Sequence, residues 1–247
     1  MLAASWTLFA VPVQAFLLTR PGLGKERFAR TYWRGVARTL GLRLRVIGEL
    51  PAARPVLFVS NHSSWVDIVA LGAVLPACFV AKGDVAGWQG IGTIARLGRT
   101  IFVSRARESV GREQRELAAR LAAGDNIILF PEGTTSDGNH ILPFASSFLT
   151  LAFGPAQPAV QPVTIVYDEL DGRPAGPEGR EEVAWHGDAD LAPHFMKLGR
   201  RRSIRASIRL GTPIAPGAYQ NRKTLTAVLE QEITTTAAAL WEGRLES

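Results

Sequence analysis

VLFVSNHSSWVD, residues 56–67, joins an apolar run to a short polar turn and then to apolar residues again. The β-rich run Val56–Ser60 predicts a buried strand that delivers His62 to the strand end. Ser63 or Ser64 is well suited to cap a helix that continues the chain. A buried strand followed at once by a helix is typical of a layered α/β fold, so this stretch decides the predicted fold class.

The rest of the chain repeats the alternation of strand and helix patterns. The strands that we predict are Leu42–Ile47, Val56–Ser60, Cys78–Ala81, Thr100–Ser104, Asn126–Phe130, Ala159–Val166 and Ile204–Leu210. The predicted helices are Ser64–Leu75, Gly90–Leu97, Ser109–Ala123, Ala145–Phe153 and Thr224–Trp241. This order predicts a mixed, largely parallel sheet flanked by helices. Asp168–Glu182, rich in Gly, Pro and charge, is predicted to be a surface loop.

Composition limits the kinds of protein that this chain can be. The 247 residues suit one large domain with appendages, and 47% of them are hydrophobic, which fits a protein that meets lipid. The formal charge of +6 implies an anionic partner, for which acidic lipid headgroups, phosphorylated cofactors and nucleic acid all qualify. A nucleic-acid-binding protein is the rival from another class, but no recognition signature supports it.

The amino-terminal segment has the pattern of a membrane anchor. Met1–Thr19 carries no charge and is followed by a basic flank. We expect a helix that spans the bilayer once or lies in one leaflet, although Pro12 and the short length weaken a full span. The alternative is an apolar helix packed on the domain. Lys25–Leu40 predicts an amphipathic helix, either interfacial or with a solvated basic face.

These patterns divide the chain into residues 1–40, which we expect to associate with a membrane, and residues 41–247, which form the main domain. The expected location is a bacterial inner membrane, with the main domain on the cytoplasmic face. Near the carboxyl terminus, Leu191–Gly199 joins an apolar patch to a basic cluster at 200–202. This segment is expected either to dip toward anionic headgroups or to cap the sheet as a loop.

His62 and Asp67 are the residues that could carry chemistry. A carboxylate five positions after the histidine can reach back and fix its tautomer, so that the other ring nitrogen faces a substrate. The structural alternative is a capping histidine with a solvent-facing aspartate. No nucleophile is obvious nearby and no Gly-x-Ser-x-Gly elbow occurs, which disfavours a hydrolase. The nucleophile would then be a hydroxyl of the substrate.

Other motifs give weaker signals. The remaining histidines have no ligand spacing with His62 and Asp67, so no metal is expected. The single cysteine, Cys78, lies in a strand pattern and is predicted to be core. Residues 90–95 match the letters of a dinucleotide fingerprint, but no convincing strand precedes them. No bound cofactor is therefore expected. A noncatalytic lipid-binding scaffold remains possible if the His62 and Asp67 side chains lie far apart.

Four motifs taken in order are more specific than any one of them. They are Asn61-His62-Ser63-Ser64-Trp65-Val66-Asp67, Gly98-Arg99-Thr100-Ile101-Phe102-Val103-Ser104-Arg105, Phe130-Pro131-Glu132-Gly133-Thr134 and Val160-Gln161-Pro162-Val163. Over roughly residues 40–215 the chain resembles the 1-acylglycerol-3-phosphate O-acyltransferase family, in motif order and approximate spacing. The resemblance implies transfer of a fatty acyl group from a thioester of coenzyme A or acyl carrier protein to a lysophospholipid hydroxyl.

The family motifs also imply roles for individual residues. His62 resembles the general base and Asp67 its orienting partner, while Arg105 resembles the ligand of the acceptor phosphate. Glu132, Gly133 and Thr134 belong to the motif that shapes the acceptor pocket. These roles rest on the resemblance.

Two departures from the family pattern bear on the acceptor. Thr135 stands where the family often has Arg, and Ser104 stands where it commonly has Asp. The first expectation is acylation of the sn-2 hydroxyl of lysophosphatidic acid, which gives phosphatidic acid. The alternative is a lyso-ornithine lipid, which has no phosphate. Anionic membrane lipids, the lysophospholipid acceptor and the acyl thioester are the expected partners, without nucleic acid.

Overall fold

A computed structural model describes residues 2–103, 110–187 and 189–245. Over these residues, strands β1 to β8 form one sheet in the order β1-β8-β6-β2-β5-β3-β4, with β7 paired to β6. The strands are β1 Leu42–Ile47, β2 Val56–Ser60, β3 Cys78–Lys82, β4 Ile101–Val103, β5 Ile127–Leu129, β6 Ala159–Leu170, β7 Arg173–Pro174 and β8 Ile204–Leu210. The strands from β6 to β4 run parallel, whereas β8 runs antiparallel to β6.

Helices lie on both faces of the sheet, as the sequence predicts. They are α1 Leu2–Leu18, α2 Gly24–Thr39, α3 Val66–Val74, α4 Ile91–Leu97, α5 Val110–Ala122, α6 Pro177–Val183, α7 Leu191–Leu198 and α8 Arg222–Trp241. Two 3₁₀ helices cover Gly83–Gly87 and Phe148–Phe153. The predicted mixed α/β fold with a largely parallel sheet is therefore confirmed.

Strand β2 lies at the centre of the core because all of its residues are buried. Successive residues of a strand point to opposite faces of its sheet. Val56 and Phe58 accordingly pack with α2 and α3, whereas Leu57 and Val59 pack with α5 and α8. A strand that is buried on both faces shows a continuous apolar run instead of alternation, which is why this stretch was recognisable from the sequence.

The two amino-terminal helices pack on the domain. Trp6 of α1 donates its indole N–H to the carbonyl oxygen of Tyr32 at 3.0 Å. The buried amide of Gln14 donates to the carbonyl oxygens of Lys25 and Leu97, and so joins α1 to the start of α2 and to α4. Several apolar residues of α1 remain exposed, among them Leu8 and Phe9. Within the described residues, no helix has both the length and the apolar character needed to cross a bilayer.

The structure corrects several element predictions. Asp168–Glu182 is more than a surface loop, since it holds the end of β6, strand β7 and most of α6. Pro177 is suited to the first turn of α6, and Val183 at the end of that helix is buried. The helix predicted over Ala145–Phe153 is a 3₁₀ helix that begins only at Phe148. Cys78 is buried, as predicted.

Glycine at position 72 lets α2 and α3 approach each other closely. A Cβ atom at this position would lie 2.5 Å from Cδ1 of Trp33, which sits over the glycine. Such an overlap forces the indole or the whole of α2 to move.

We expect Gly72→Ala to lower the free energy of unfolding by about 1–3 kcal/mol because the added methyl group overpacks this contact. A loss of stability would point to the packing contact, because helix propensity alone would make alanine more stabilising than glycine here by about 1 kcal/mol. Denaturant unfolding measures the change. Gly87→Ala is the matched control, because nothing lies within 4 Å of its added Cβ. A Gly72→Ala protein as stable as the wild type would contradict the packing.

Candidate active site

The site forms at the carboxyl end of β2, where Asn61 fixes the chain as it leaves the sheet. The Asn61 side chain accepts a hydrogen bond from the backbone N–H of Ile165 and donates one to the Ile165 carbonyl oxygen, both at 2.8 Å. It thus continues the pairing with β6 beyond the last residue of β2. The backbone position of His62 follows from this anchor.

His62 and Asp67 meet, as the spacing predicts. His62 Nδ1 lies 2.8 Å from Asp67 Oδ2, and Asp67 is fully buried. The same Oδ2 accepts the backbone N–H groups of Ser63 at 2.8 Å and Ser64 at 3.0 Å. The predicted serine cap is therefore wrong in part: the carboxylate takes these N–H groups, and Ser64 Oγ accepts only from Val66 at 3.3 Å.

Tyr167 completes the environment of Asp67, and no sequence pattern pointed to it. Its hydroxyl donates to Asp67 Oδ1 at 2.6 Å from strand β6. Burial, together with the neighbouring carboxylate, raises the pKa of Tyr167 well above its ordinary value, so the phenol keeps its proton. Asp67 consequently accepts four hydrogen bonds, and such saturation is what a buried carboxylate requires.

The imidazole of His62 is held on one side by Phe130. The two rings stack with centroids 4.0 Å apart and an angle of 15° between their planes. Among the described residues Nε2 has no hydrogen-bond partner, while Nδ1 is occupied by Asp67. The ring also lines the large cavity described below. The arrangement fits a histidine whose tautomer is fixed at Nδ1 and whose Nε2 can accept a proton.

Glu132 braces the same backbone from the opposite loop. Its Oε1 accepts the N–H of His62 at 2.6 Å, and its Oε2 accepts the N–H of Leu142 at 2.8 Å. Ser136 then donates its N–H to the His62 carbonyl oxygen at 2.9 Å. Burial raises the pKa of Glu132 to about 8, against the two backbone donors that lower it. Both of its oxygens are thus already engaged within the protein.

Gly133 and Thr134 complete the turn of this loop. Gly133 has a φ of +68°, a left-handed conformation that costs other residues roughly 1–2 kcal/mol. Thr134 is exposed, and it lines the cavity together with Gly133 and Thr135. The family resemblance implies that they shape the acceptor pocket, and they border the open space next to His62. Arg105 and Ser104, the other residues assigned there, lie outside the described residues.

A cavity of about 1850 Å³ opens in front of His62. Its lining is mainly apolar and comes from α1, α2, α5, α7 and the 3₁₀ helices. The charged residues at its wall are Lys82, Asp84, Glu113, Arg115 and Glu132. A long apolar space beside a histidine–aspartate pair can hold an aliphatic chain with its polar end near Nε2.

No cluster of three or more potential metal ligands occurs in residues 2–103, 110–187 and 189–245. The buried Cys78 has a pKa raised by burial, which disfavours its thiolate.

Residues 43–166 match the family model described as Acyltransferase. The chain is 40% identical to the lyso-ornithine lipid O-acyltransferase of Brucella abortus, over 99% of this chain and 93% of that protein. It is 33% identical to the 1-acyl-sn-glycerol-3-phosphate acyltransferase of Neisseria meningitidis, over 58% of this chain and 57% of that protein. The crystal structure of the LPA acyltransferase PlsC from Thermotoga maritima superposes with a TM-score of 0.67 at 21% identity, and covers 100% of this chain and 97% of that one. This structural match supports the fold.

We expect Tyr167→Phe to lower the free energy of unfolding by about 1–3 kcal/mol, because a buried carboxylate oxygen of Asp67 loses its donor. Denaturant unfolding at pH 7 measures the loss. Tyr219→Phe serves as control, since Tyr219 packs against the apolar cluster that contains Leu57 and Val59, on the opposite face of β2. Equal stability of Tyr167→Phe and wild type would show that the contact contributes nothing.

The raised pKa of Glu132 predicts a pH-dependent stability. The folded protein keeps a proton on Glu132 up to about pH 8, whereas the unfolded chain releases it near pH 4.5. Its contribution to the free energy of unfolding is therefore full below pH 4.5 and falls as the pH rises toward 8.

In Glu132→Gln this contribution is absent at every pH. We expect the stability of the wild type relative to Glu132→Gln to decline between pH 5 and pH 8, as measured by denaturant unfolding across this range. A constant difference would mean that Glu132 is already ionised at pH 5 in the folded state.

Proposed function

The chain belongs to the acyltransferase family, and on this premise we propose that it transfers a fatty acyl group to lyso-ornithine lipid. One observation carries the choice of acceptor: two relatives that match nearly the whole chain, at 40% and 36% identity, are both named lyso-ornithine lipid O-acyltransferase. The comparisons thus favour the second of the two acceptors expected from the sequence over the first.

Lysophosphatidic acid is the second candidate acceptor. Relatives named for 1-acyl-sn-glycerol-3-phosphate match at 33% identity, but over shorter parts of the chain. Thr135, in place of the arginine that is common in the family, removes a cation that would suit a phosphate. This favours an acceptor without phosphate.

The charges at the cavity wall also favour an amino-acid head group. Ornithine in a lipid amide carries a carboxylate and a side-chain ammonium, and Lys82 and Asp84 offer one exposed charge of each sign. Phe58 of β2 and Phe79 of β3 both align with Ile128. Strand β3, which Asp84 follows, therefore lies two strand spacings, about 10 Å, from β2, the strand that precedes His62.

That separation suits the longer head group. In lysophosphatidic acid the phosphorus lies four bonds, about 5 Å, from the reacting oxygen. In lyso-ornithine lipid the side-chain ammonium lies more bonds away from the reacting hydroxyl, so it can extend toward Asp84. Arg105 remains a predicted ligand of the acceptor's anionic group.

His62 is the proposed general base. Its Nε2 withdraws the proton of the acceptor hydroxyl while the oxygen attacks the thioester carbonyl of acyl-coenzyme A or acyl carrier protein. Asp67 holds Nδ1 and stabilises the imidazolium that forms. The tetrahedral oxyanion collapses, the C–S bond breaks, and the leaving sulfur takes the proton from His62 Nε2, which restores the neutral imidazole. No covalent enzyme intermediate and no bound cofactor are required.

The proposed setting is the cytoplasmic face of a bacterial inner membrane. Residues 1–40 would supply the contact, with Leu8, Phe9 and Phe16 exposed on α1. The basic residues that follow on α2 would meet anionic headgroups. Residues 41–247 would then hold the cavity at the lipid surface.

An assay of thiol release on membranes that contain the protein tests this function. We expect release from palmitoyl-coenzyme A with lyso-ornithine lipid as acceptor, and little release with lysophosphatidic acid. His62→Ala should abolish the release because the base is lost; it should remain folded at the assay temperature but melt at a lower temperature, because Asp67 loses one of its donors.

His140→Ala is the matched control. His140 also lies 2.8 Å from an aspartate, Asp137, but this pair is at the surface. It should keep full activity. Release with lysophosphatidic acid alone would move the acceptor to the second candidate, and full activity of a folded His62→Ala protein would remove His62 from the mechanism.

A further inference from the structure

Helix α7 forms a wall of the cavity next to the catalytic motif. Leu191, Ala192, Phe195 and Met196 of α7 line the cavity, and 40% of Phe195 and 59% of Met196 remain exposed. The ring of Phe195 lies 5.5 Å from that of Trp65, the residue three positions after His62. Any shift of α7 therefore changes the apolar surface beside the reacting atoms.

One side-chain hydrogen bond joins α7 to the motif. Trp65 Nε1 lies 2.9 Å from His194 Nδ1, and His194 Nε2 lies 3.2 Å from the carbonyl oxygen of Glu182. An indole N–H can only donate, so Nδ1 must offer its lone pair and the proton must sit on Nε2. The contact therefore requires a neutral His194, because an imidazolium would turn an N–H toward the indole N–H.

The charges around His194 come from two elements and the segment that follows α7. Glu182 of α6 and Lys197 of α7 act on it with opposite sign, and Glu182 is itself paired with Arg201. Asp190 precedes α7, and its backbone carbonyl oxygen, not its carboxylate, accepts the backbone N–H of His194 at 3.3 Å. Burial lowers the pKa of His194, and Lys197 lowers it further. The neutral ring is thus the state that the folded protein favours.

We propose that His194 is a positioning residue that clasps α7 to Trp65, and that this clasp sets the cavity wall along which a long acyl chain of the donor lies. The proposal rests on acyl transfer at His62 and is independent of which acceptor is used. A short acyl chain does not extend along α7, so its transfer does not depend on the hydrogen bond between His194 and Trp65.

The sign of the pH effect follows from the tautomer. A histidine whose pKa is lower in the folded than in the unfolded state contributes stability above pH 6.5, and this contribution is lost as the pH falls below it. Acid therefore opens the clasp. A general loss of activity in acid affects long and short donors equally and cancels in their ratio.

The experiment measures kcat/KM for palmitoyl-coenzyme A and for hexanoyl-coenzyme A with one acceptor between pH 5.5 and pH 8, and follows their ratio. We expect the ratio in the wild type to fall as the pH drops, mainly through KM for the long donor. In His194→Leu it should be lowered about 10-fold at pH 8, which is the effect of one hydrogen bond of about 1.4 kcal/mol.

His194→Asn keeps an acceptor near the position of Nδ1 but does not titrate. It should retain the wild-type ratio at pH 8 and hold it constant in acid. Trp65→Phe removes the donor, so its ratio should be low and independent of pH, and it tests the clasp even if His194→Leu fails to fold. A wild-type ratio that is constant with pH, or Leu and Phe variants with the wild-type ratio, would overturn the proposal.

Failure of the proposed function has a different signature. In that case neither donor gives release that depends on His62, at any pH. If both donors give thiol release that depends on His62, but the ratio of their kcat/KM values changes neither with pH nor in the variants, only the proposal for His194 is overturned.

Discussion

A buried carboxylate holds this site together. Asp67 has no exposed surface, and its ionised form is tolerable only because it is surrounded by donors from residues 62–64, between β2 and α3, and from Tyr167 of β6. These donors come from two parts of the fold that are far apart in the sequence. The start of α3, the pairing of β2 with β6 and the orientation of His62 therefore depend on one another, and removal of one donor leaves a buried acceptor without its partner.

How much of the fold and of the site the sequence could predict depends on how far apart in the sequence the contacting residues lie. Strands β1, β2 and β8 have the predicted bounds, because their β-rich runs leave few alternatives. The contact of His62 with Asp67 spans five residues and follows from local geometry. Tyr167 lies 100 residues from Asp67, so only the sheet order brings it there. The helices α6 and α7 are too short to give a clear periodic pattern.

The acceptor was the least predictable property. The motifs that carry the chemistry are shared by enzymes with different acceptors, so they favoured lysophosphatidic acid and lyso-ornithine lipid on nearly the same grounds. The local signal for the second was the threonine at position 135. Similarity to relatives over nearly the whole chain favours it more strongly.

The main chain of His62 is held on both sides by the loop that carries Glu132, through its own N–H and its own carbonyl oxygen. Most side chains of that loop take no part in this support. Exposed positions such as Thr134 are therefore free to change during evolution without moving the base. In a fold built in this way, substitutions at exposed positions of the loop can reshape the surface that meets a substrate while the backbone of His62 stays in place.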